Sequence, residues 1–379
     1  MKFKRLVALI MAAAMTLSLT ACGGGDTAET TASGSGAAET TAAAGGEAKE
    51  MMTVGIPTLT PSFDFYNTTN GYESFSMSQV YETLVIKNEN GEYVGSLADT
   101  FEIDSSAQKF TFNLNPNAKW SDGTPVTSAD VAWSMEQLKL SGYVSYIYEP
   151  LLDTVECPDD HTVIINLVKP SVSFMEYLAN PYYCAILPQA AYEEMGDAYG
   201  TTVDTIVSSG PYKVTEWKTG EYIMFEANPD YHGEAPAISK VKLVAMSDSN
   251  SAMMALQTGE IDAYFDDVPG VSRATVEAAS NINMFDWTST ILYCVFFNTQ
   301  NGMFTDVNMR KAVAMAMNKP DYITVGSEGF GAPADYPGDR GNIGDPKLEG
   351  IWDANYAYNI ETAKGLVADA GYAGADVVI

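Results

Sequence analysis

The stretch at residues 119–131 reads KWSDGTPVTSADV and decides how the surrounding chain folds. Its middle part, DGTP at residues 122–125, has the composition of a tight turn. Thr127 and Asp130 then stand three residues apart, the spacing of a capping box at the start of a helix. The apolar residues that follow at helical spacing are Val131, Met135 and Leu138. The stretch therefore predicts a turn that leads directly into an amphipathic helix.

Segments on both sides of this stretch alternate apolar and polar residues, as half-buried strands do. The clearest alternation is found at residues 109–114 and again at residues 162–167. Further strands are predicted at 52–57, 83–87, 212–214 and 222–225, and further helices at 74–83, 247–258, 310–318 and 359–370. Because strands and helices are mixed without strict βαβ alternation, the predicted fold class is α/β of the mixed α+β kind, with several subdomains.

The composition is that of a mostly globular chain with a strongly acidic surface. Of 379 residues, 46% are hydrophobic and 18% are charged, and the formal net charge is −29. This length is enough for two or three domains, each with its own core. Because an acidic surface of this kind repels phosphate backbones, the charge excludes nucleic acid as a partner.

The chain begins with the features of a signal peptide, which we assign to residues 1–21. A basic start precedes an apolar run that is too short for a comfortable membrane span. Residues 19–22 (LTAC) look like a bacterial lipobox, in which Cys22 receives a diacylglycerol before cleavage. The following residues hold almost no large apolar side chain, so 22–50 is predicted to be a lipidated cysteine with a disordered tether.

Motifs of catalysis and metal binding are not found. The two histidines, His161 and His232, lack the spacing of a zinc site, and no Gly-x-Ser-x-Gly elbow is present. Cys157, Cys184 and Cys294 are interpreted as small buried hydrophobic residues. We therefore expect no catalytic residue, no metal and no cofactor, and the chain is predicted not to be an enzyme.

Short blocks of sequence occur in a fixed order from residue 81 to residue 372. Besides the opening stretch they include YETL (81–84), SLAD (96–99), FTFNL (110–114), SGPY (209–212), NPDY (228–231), GEID (259–262), FNT (297–299) and RKAV (310–313). In this order they resemble the extracellular solute-binding proteins of the oligopeptide, dipeptide and nickel importers, which form family 5. Each block alone is weak, and the shared order carries the resemblance.

The resemblance implies a two-lobed periplasmic-binding-protein-like fold of the large peptide-binding type, whose lobes close on a ligand. The main part of the first lobe would comprise residues 51–75 plus 208–285, with an inserted subdomain at 76–207. The second lobe would run from 286 to 379. Because members of this family are usually longer, we expect the second lobe to be incomplete.

The resemblance also implies where a ligand would bind. Expected contacts lie in the loop after the first strand, in an aromatic stretch, in a turn that offers backbone hydrogen bonds, and on a hinge strand. They are Phe63, Asp64 and Tyr66 in the loop, Tyr146 in the aromatic stretch, Ser209 and Gly210 in the turn, and Tyr293 and Phe296 on the hinge strand.

The function implied is that of the solute-binding component of an ABC importer, which captures peptides by lobe closure and delivers them to a membrane permease. Expected partners are a peptide or small-molecule ligand, the ABC permease subunits and the membrane that holds the lipid anchor, with the protein itself a monomer. The expected location is the outer face of the cytoplasmic membrane, the periplasmic side if the cell has an outer membrane. Alternatives are a ligand-binding sensor lipoprotein and a binding protein for nickel chelates or oligosaccharides.

Overall fold

The computed structural model of the protein describes residues 49–67, 71–285, 292–336 and 346–374. The signal peptide, Cys22 and nearly all of the tether lie outside these residues. Contacts divide the chain after Asp267 into two units. The lobe boundary expected at residue 286 stays a prediction. Within the described residues, no helix combines the length and the apolar character that crossing a membrane requires.

All strands of the described residues lie in the first unit. They are β1 (Met51–Ile56), β2 (Val85–Lys87), β3 (Tyr93–Gly95), β4 (Ala98–Ile103), β5 (Lys109–Leu114), β6 (Leu152–Asp159), β7 (Thr162–Leu167), β8 (Tyr212–Lys218), β9 (Tyr222–Ala227), β10 (Lys240–Ala245) and β11 (Ala263–Tyr264). One sheet has the order β11-β1-β10-β9-β8 and a second has the order β4-β5-β7-β6, while β2 and β3 form a hairpin. In the five-stranded sheet β1 runs parallel to both β10 and β11.

The helices of the first unit lie along the chain between its strands. They are α1 (Gly71–Met77), α2 (Ser128–Leu140), α3 (Ser145–Tyr148), α4 (Phe174–Leu178), α5 (Gln189–Met195) and α6 (Ser249–Thr258). The mixture of parallel and antiparallel strands with helices confirms the predicted α/β class. The five-stranded sheet joins β1 to strands that follow residue 211, and the four-stranded sheet is built entirely from the chain between them.

The opening stretch folds as the sequence predicts. Thr127 and Asp130 form the capping box of α2, with the Thr127 N–H donating to Asp130 Oδ2 over 2.9 Å. The three predicted apolar residues of the helix are fully buried. Strands β5 and β7 also have the predicted bounds, and they pair antiparallel so that Phe110 lies opposite Ile165 in the core.

Two helix predictions had wrong bounds. The helix expected at 74–83 is α1, which ends at Met77. Beyond it the backbone turns away, because the Val80 carbonyl accepts from the Gly210 N–H over 2.7 Å. A tertiary backbone bond therefore replaces the next turn of helix, which local sequence pattern does not reveal.

The second unit is helical in its described residues. Its helices are α7 (Gly270–Ala278), α8 (Val307–Ala316), α9 (Lys319–Gly326), α10 (Ile351–Tyr356) and α11 (Ile360–Asp369). Helix α8 begins three residues before the predicted start because the Asp306 side chain caps it, accepting from the Asn308 N–H over 2.7 Å. Helices α8 and α11 pack together, and Met309, Ala312 and Ala363 are buried.

Candidate functional site

The parallel strands of the first unit end at one edge of the five-stranded sheet. Ile56 of β1 lies opposite Ala245 of β10, and Gly55 lies opposite Tyr264 of β11. In open sheets with parallel strands, ligands bind in the crevice outside the carboxyl ends of those strands. The segments that leave these three ends are therefore the part of the first unit where a ligand site is expected.

A pair of aromatic rings covers this edge. Phe265 is the first residue after β11, and its ring stacks on that of Phe75 in α1, with centroids 4.6 Å apart and an interplanar angle of 17°. Both residues are half-buried, so the stack keeps part of its surface open to solvent. A flat apolar surface at a strand end can accept an apolar or aromatic side chain of a ligand.

Polar groups lie beside the stack. The Tyr264 hydroxyl is 3.3 Å from Ser249 Oγ and 3.4 Å from Asp266 Oδ2. Burial and the neighbouring Asp266 raise the pKa of the Tyr264 phenol above its ordinary value, so the hydroxyl keeps its proton and can donate a hydrogen bond. We call Phe75, Ser249, Tyr264, Phe265 and Asp266 the strand-end cluster.

Gly55 allows the Tyr264 ring to approach the sheet. A Cβ at this position would lie 2.9 Å from Met246 Sδ and 3.1 Å from both Ile261 Cδ1 and Tyr264 Cδ2. Because such contacts are too short, a larger residue in β1 would displace the ring. The absence of a side chain at residue 55 therefore helps to set the position of the strand-end cluster.

None of the strand-end cluster was predicted from the sequence. Phe75 and Phe265 are far apart along the chain, and neither lies in a motif that indicates binding. A usable signal is present, because residues 265–267 directly follow β11, a strand that pairs parallel with β1. That signal depends on the strand order of the sheet, which periodicity does not supply.

The predicted loop residues Phe63 and Tyr66 are buried in the core of the first unit. Phe63 is fully buried and packs edge-to-face on Trp217, with centroids 5.3 Å apart. Tyr66 is also buried and packs on Trp133 at 5.7 Å. Partners from distant elements cover both rings, so in this structure neither ring is open to a ligand.

Asp64 holds the same loop in place. Its Oδ1 accepts from the Tyr66 N–H over 3.1 Å, and its Oδ2 accepts from Asn67 Nδ2 over 2.6 Å and from the Tyr192 hydroxyl over 2.9 Å. The carboxylate thus caps the one-turn 3-10 helix at Phe65–Asn67. Its bonds are made within the protein, and a role as a ligand contact stays a prediction.

The predicted turn at Ser209 and Gly210 is buried, and its backbone bonds the protein. The Gly210 N–H donates to the Val80 carbonyl over 2.7 Å, and its own carbonyl accepts from Asn228 Nδ2 over 3.0 Å. The Gly210 N–H is therefore used within the protein. The turn joins two parts of the first unit, and ligand contact at Ser209 and Gly210 stays a prediction.

The remaining predicted contacts are exposed. Tyr146 is 68% exposed, and Tyr293 and Phe296, in the second unit, are 89% and 90% exposed. Residues 292–298, which include the two residues expected on a hinge strand, form no strand in the described part of the chain. Ligand contact at these three residues stays a prediction.

The three cysteines of the folded part were also interpreted from the sequence. Cys184 is buried as expected, whereas Cys157 and Cys294 are exposed, so the interpretation was wrong for these two. In the part of the chain that the structure describes, no three side chains of His, Cys, Asp or Glu lie close enough together to hold a metal ion.

The sequence of this chain matches a known family and several curated relatives. The family described as "Bacterial extracellular solute-binding proteins, family 5 Middle" matches residues 92–378. The periplasmic oligopeptide-binding protein OppA of Salmonella typhimurium is 29% identical over 269 residues, which cover 65% of this chain and 49% of OppA. The chain spans about half the length of the curated relatives it matches.

Solved structures of the same fold agree with this match. AgaA from A. tumefaciens R10, in complex with agropinic acid, has a TM-score of 0.71 and 27% identity, covering 85% of this chain and 65% of AgaA. DppA from Helicobacter pylori, in complex with the peptide STSA, has a TM-score of 0.69 and 24% identity, covering 85% of this chain and 66% of DppA. The predicted fold, that of the large periplasmic binding proteins, is confirmed.

Proposed function

Because this chain belongs to the family 5 bacterial extracellular solute-binding proteins, we propose that it captures peptides outside the cytoplasmic membrane and delivers them to the permease of an ABC importer. The match to this family over residues 92–378 is the observation that carries the proposal. Capture proceeds by closure of two lobes on the ligand, without covalent chemistry, so the protein is not an enzyme.

The strand-end cluster forms the first lobe's part of the ligand site. An apolar or aromatic side chain of the peptide lies against the stacked rings of Phe75 and Phe265. The Tyr264 hydroxyl, whose proton is donated to Ser249 Oγ or Asp266 Oδ2, accepts from an N–H group of the peptide backbone. Main-chain bonds of this kind supply affinity for peptides of many sequences, while the aromatic surface favours those with an apolar side chain.

The N-terminus holds the protein at the membrane. Residues 1–21 direct export, Cys22 carries the diacylglycerol, and residues 22–50 form the tether, so that a monomer is held at the outer face of the cytoplasmic membrane. A lipid anchor with more than one acyl chain gives stable attachment without a transmembrane helix.

Phe265→Ala is expected to weaken binding of the peptide Ala-Phe-Ala about tenfold, with a smaller effect on tri-alanine. The substitution removes one ring of the stack, and a loss of about 1.4 kcal/mol of apolar contact corresponds to that factor. Isothermal titration calorimetry on the native protein and the variant measures both affinities.

Phe101→Ala is the matched control for this variant. Phe101 is also half-buried and also packs on an aromatic ring, that of Phe112 at 6.4 Å, but it lies in the four-stranded sheet. The control variant should keep the affinity of the native protein. If Phe265→Ala and the native protein bound both peptides with equal affinity, the strand-end cluster would not be part of the ligand site.

A second class of ligand is suggested by one comparison. AgaA, which is 27% identical to this chain, was solved with agropinic acid. If calorimetry showed that the native protein binds agropinic acid and neither peptide, the proposed ligand would be an opine instead of a peptide. Peptide binding without agropinic acid binding supports the peptide proposal.

A further inference from the structure

One short segment of the first unit joins the five-stranded sheet to the inserted subdomain. Toward the sheet, the carbonyls of Gln79 and Val80 accept from the N–H groups of Tyr212 and Gly210, over 3.2 Å and 2.7 Å. Toward the inserted subdomain, the carbonyl of Glu82 accepts from the Ile186 N–H over 2.9 Å. The segment 79–82 is therefore bonded on both sides, and we call it the junction.

A buried pair of side chains, Glu82 and His232, spans this junction. His232, in the loop that follows β9, places its Nε2 atom 3.2 Å and 3.3 Å from the two carboxylate oxygens of Glu82. The two side chains are only 5% and 4% exposed. Glu82 also accepts from Ser96 Oγ over 3.1 Å, and the Tyr231 hydroxyl lies 3.5 Å from it.

The charge state of His232 depends on its neighbours. Burial alone lowers the pKa of its imidazole, but the hydrogen bond and the charge of Glu82 raise it, with a further contribution from Asp99. The pKa therefore lies above its ordinary value of 6.5. Glu82, Asp99 and Tyr231 are the titratable groups that face this ring in the structure.

We propose that the Glu82–His232 pair is a pH-sensitive clasp that fastens the inserted subdomain to the five-stranded sheet. With His232 protonated, the pair is a hydrogen-bonded ion pair that spans the junction. When the imidazole loses its proton, the attraction between the two side chains is lost, and the clasp weakens. This device is independent of which ligand the protein binds.

The sign of the pH effect follows from the raised pKa. A group whose pKa is higher in the folded than in the unfolded state stabilises the fold fully below the unfolded value. That contribution is lost as the pH rises through the folded value of His232. The clasp therefore holds in mildly acidic solution and loosens in alkaline solution.

The direct test is an NMR titration of the histidine ring signals of the full chain from about pH 5 to about pH 9. The sequence has 2 histidines, so the variant His161→Gln leaves the His232 signal alone and identifies it. We expect the midpoint of the His232 titration to lie above pH 6.5. Titration at or below 6.5 in the folded protein would overturn the proposal, and this measurement does not require a destabilised variant.

The matched variants are Glu82→Gln and His232→Gln. Glu82→Gln should move the titration of His232 below that of the native protein, because burial then acts without the carboxylate. His232→Gln can still donate a hydrogen bond but cannot be protonated. The difference in Tm between the native protein and His232→Gln should shrink by about 2–4 °C or more between pH 6 and pH 9. A difference that stays constant with pH would contradict the clasp.

Discussion

Asp130→Ala is expected to lower the free energy of unfolding of the first unit by about 3 kcal/mol. Asp130 is buried, and its Oδ2 accepts from the Thr127 N–H over 2.9 Å and from Trp120 Nε1 over 3.4 Å. Its Oδ1 accepts from the Gln189 N–H over 3.0 Å. The side chain thus joins the turn at residues 119–127, the start of α2 and the start of α5.

The size of this effect comes from the N–H donors that lose their acceptor when the Asp130 carboxylate is removed. Hydrogen bonds to a charged group contribute about 1.5–3 kcal/mol, and a lost helix cap costs about 1 kcal/mol. Urea unfolding followed by tryptophan fluorescence measures the change, since Trp120 is one of the partners.

Asp122→Ala is the control for Asp130→Ala. Asp122 also caps a backbone, with its Oδ1 accepting from the Thr124 N–H over 2.9 Å, but it is exposed. The exposed variant should cost about 1 kcal/mol or less, because water replaces the lost bond. Equal costs for the two variants would mean that Asp130 does not join the three elements as described.

Gly200→Ala is expected to cost about 3 kcal/mol or more, for two separate reasons. Its φ of +70° lies in the left-handed region, and a Cβ would lie 2.6 Å from both the Asp64 nitrogen and the Phe63 carbonyl carbon. The Gly200 carbonyl also accepts from the Phe63 N–H over 2.8 Å. The loop after β1 would therefore have to move away from residue 200.

Two other glycines separate the two causes. Gly259 has a left-handed conformation, with a φ of +75° and no atom within 4 Å of its Cβ position, so Gly259→Ala measures that conformation alone, about 1 kcal/mol. At Gly142 no atom lies within 4 Å of the Cβ position and the φ is not left-handed, so Gly142→Ala should leave the free energy of unfolding almost unchanged. Chemical unfolding of the three variants gives the comparison, and a Gly200→Ala cost no larger than that of Gly259→Ala would contradict the close approach.

Local features of the fold could be predicted from the sequence because their causes are local. The capping box at Thr127 and Asp130 depends on residues three positions apart, and the alternation in β5 and β7 depends on every second residue. Both kinds of signal need no knowledge of distant partners. The family blocks added the fold of the whole chain, which no single periodic pattern indicates.

The site could not be predicted in the same way, because it depends on distant residues. An aromatic loop such as 63–66 has the same pattern whether its rings face a ligand or the core. Trp217 and Trp133, which cover Phe63 and Tyr66, come from other elements. Likewise, the stack of Phe75 on Phe265 exists only because β11 pairs with β1.

Native mass spectrometry of the protein, purified from its own cells without denaturation, tests most directly the proposal that this chain binds peptides. The intact mass also shows whether the chain begins at Cys22 and carries a diacylglycerol. Peptides should be released from the native protein and be depleted in Phe265→Ala but not in Phe101→Ala. A bound opine, sugar or metal chelate, with no peptide among the released ligands, would contradict the account.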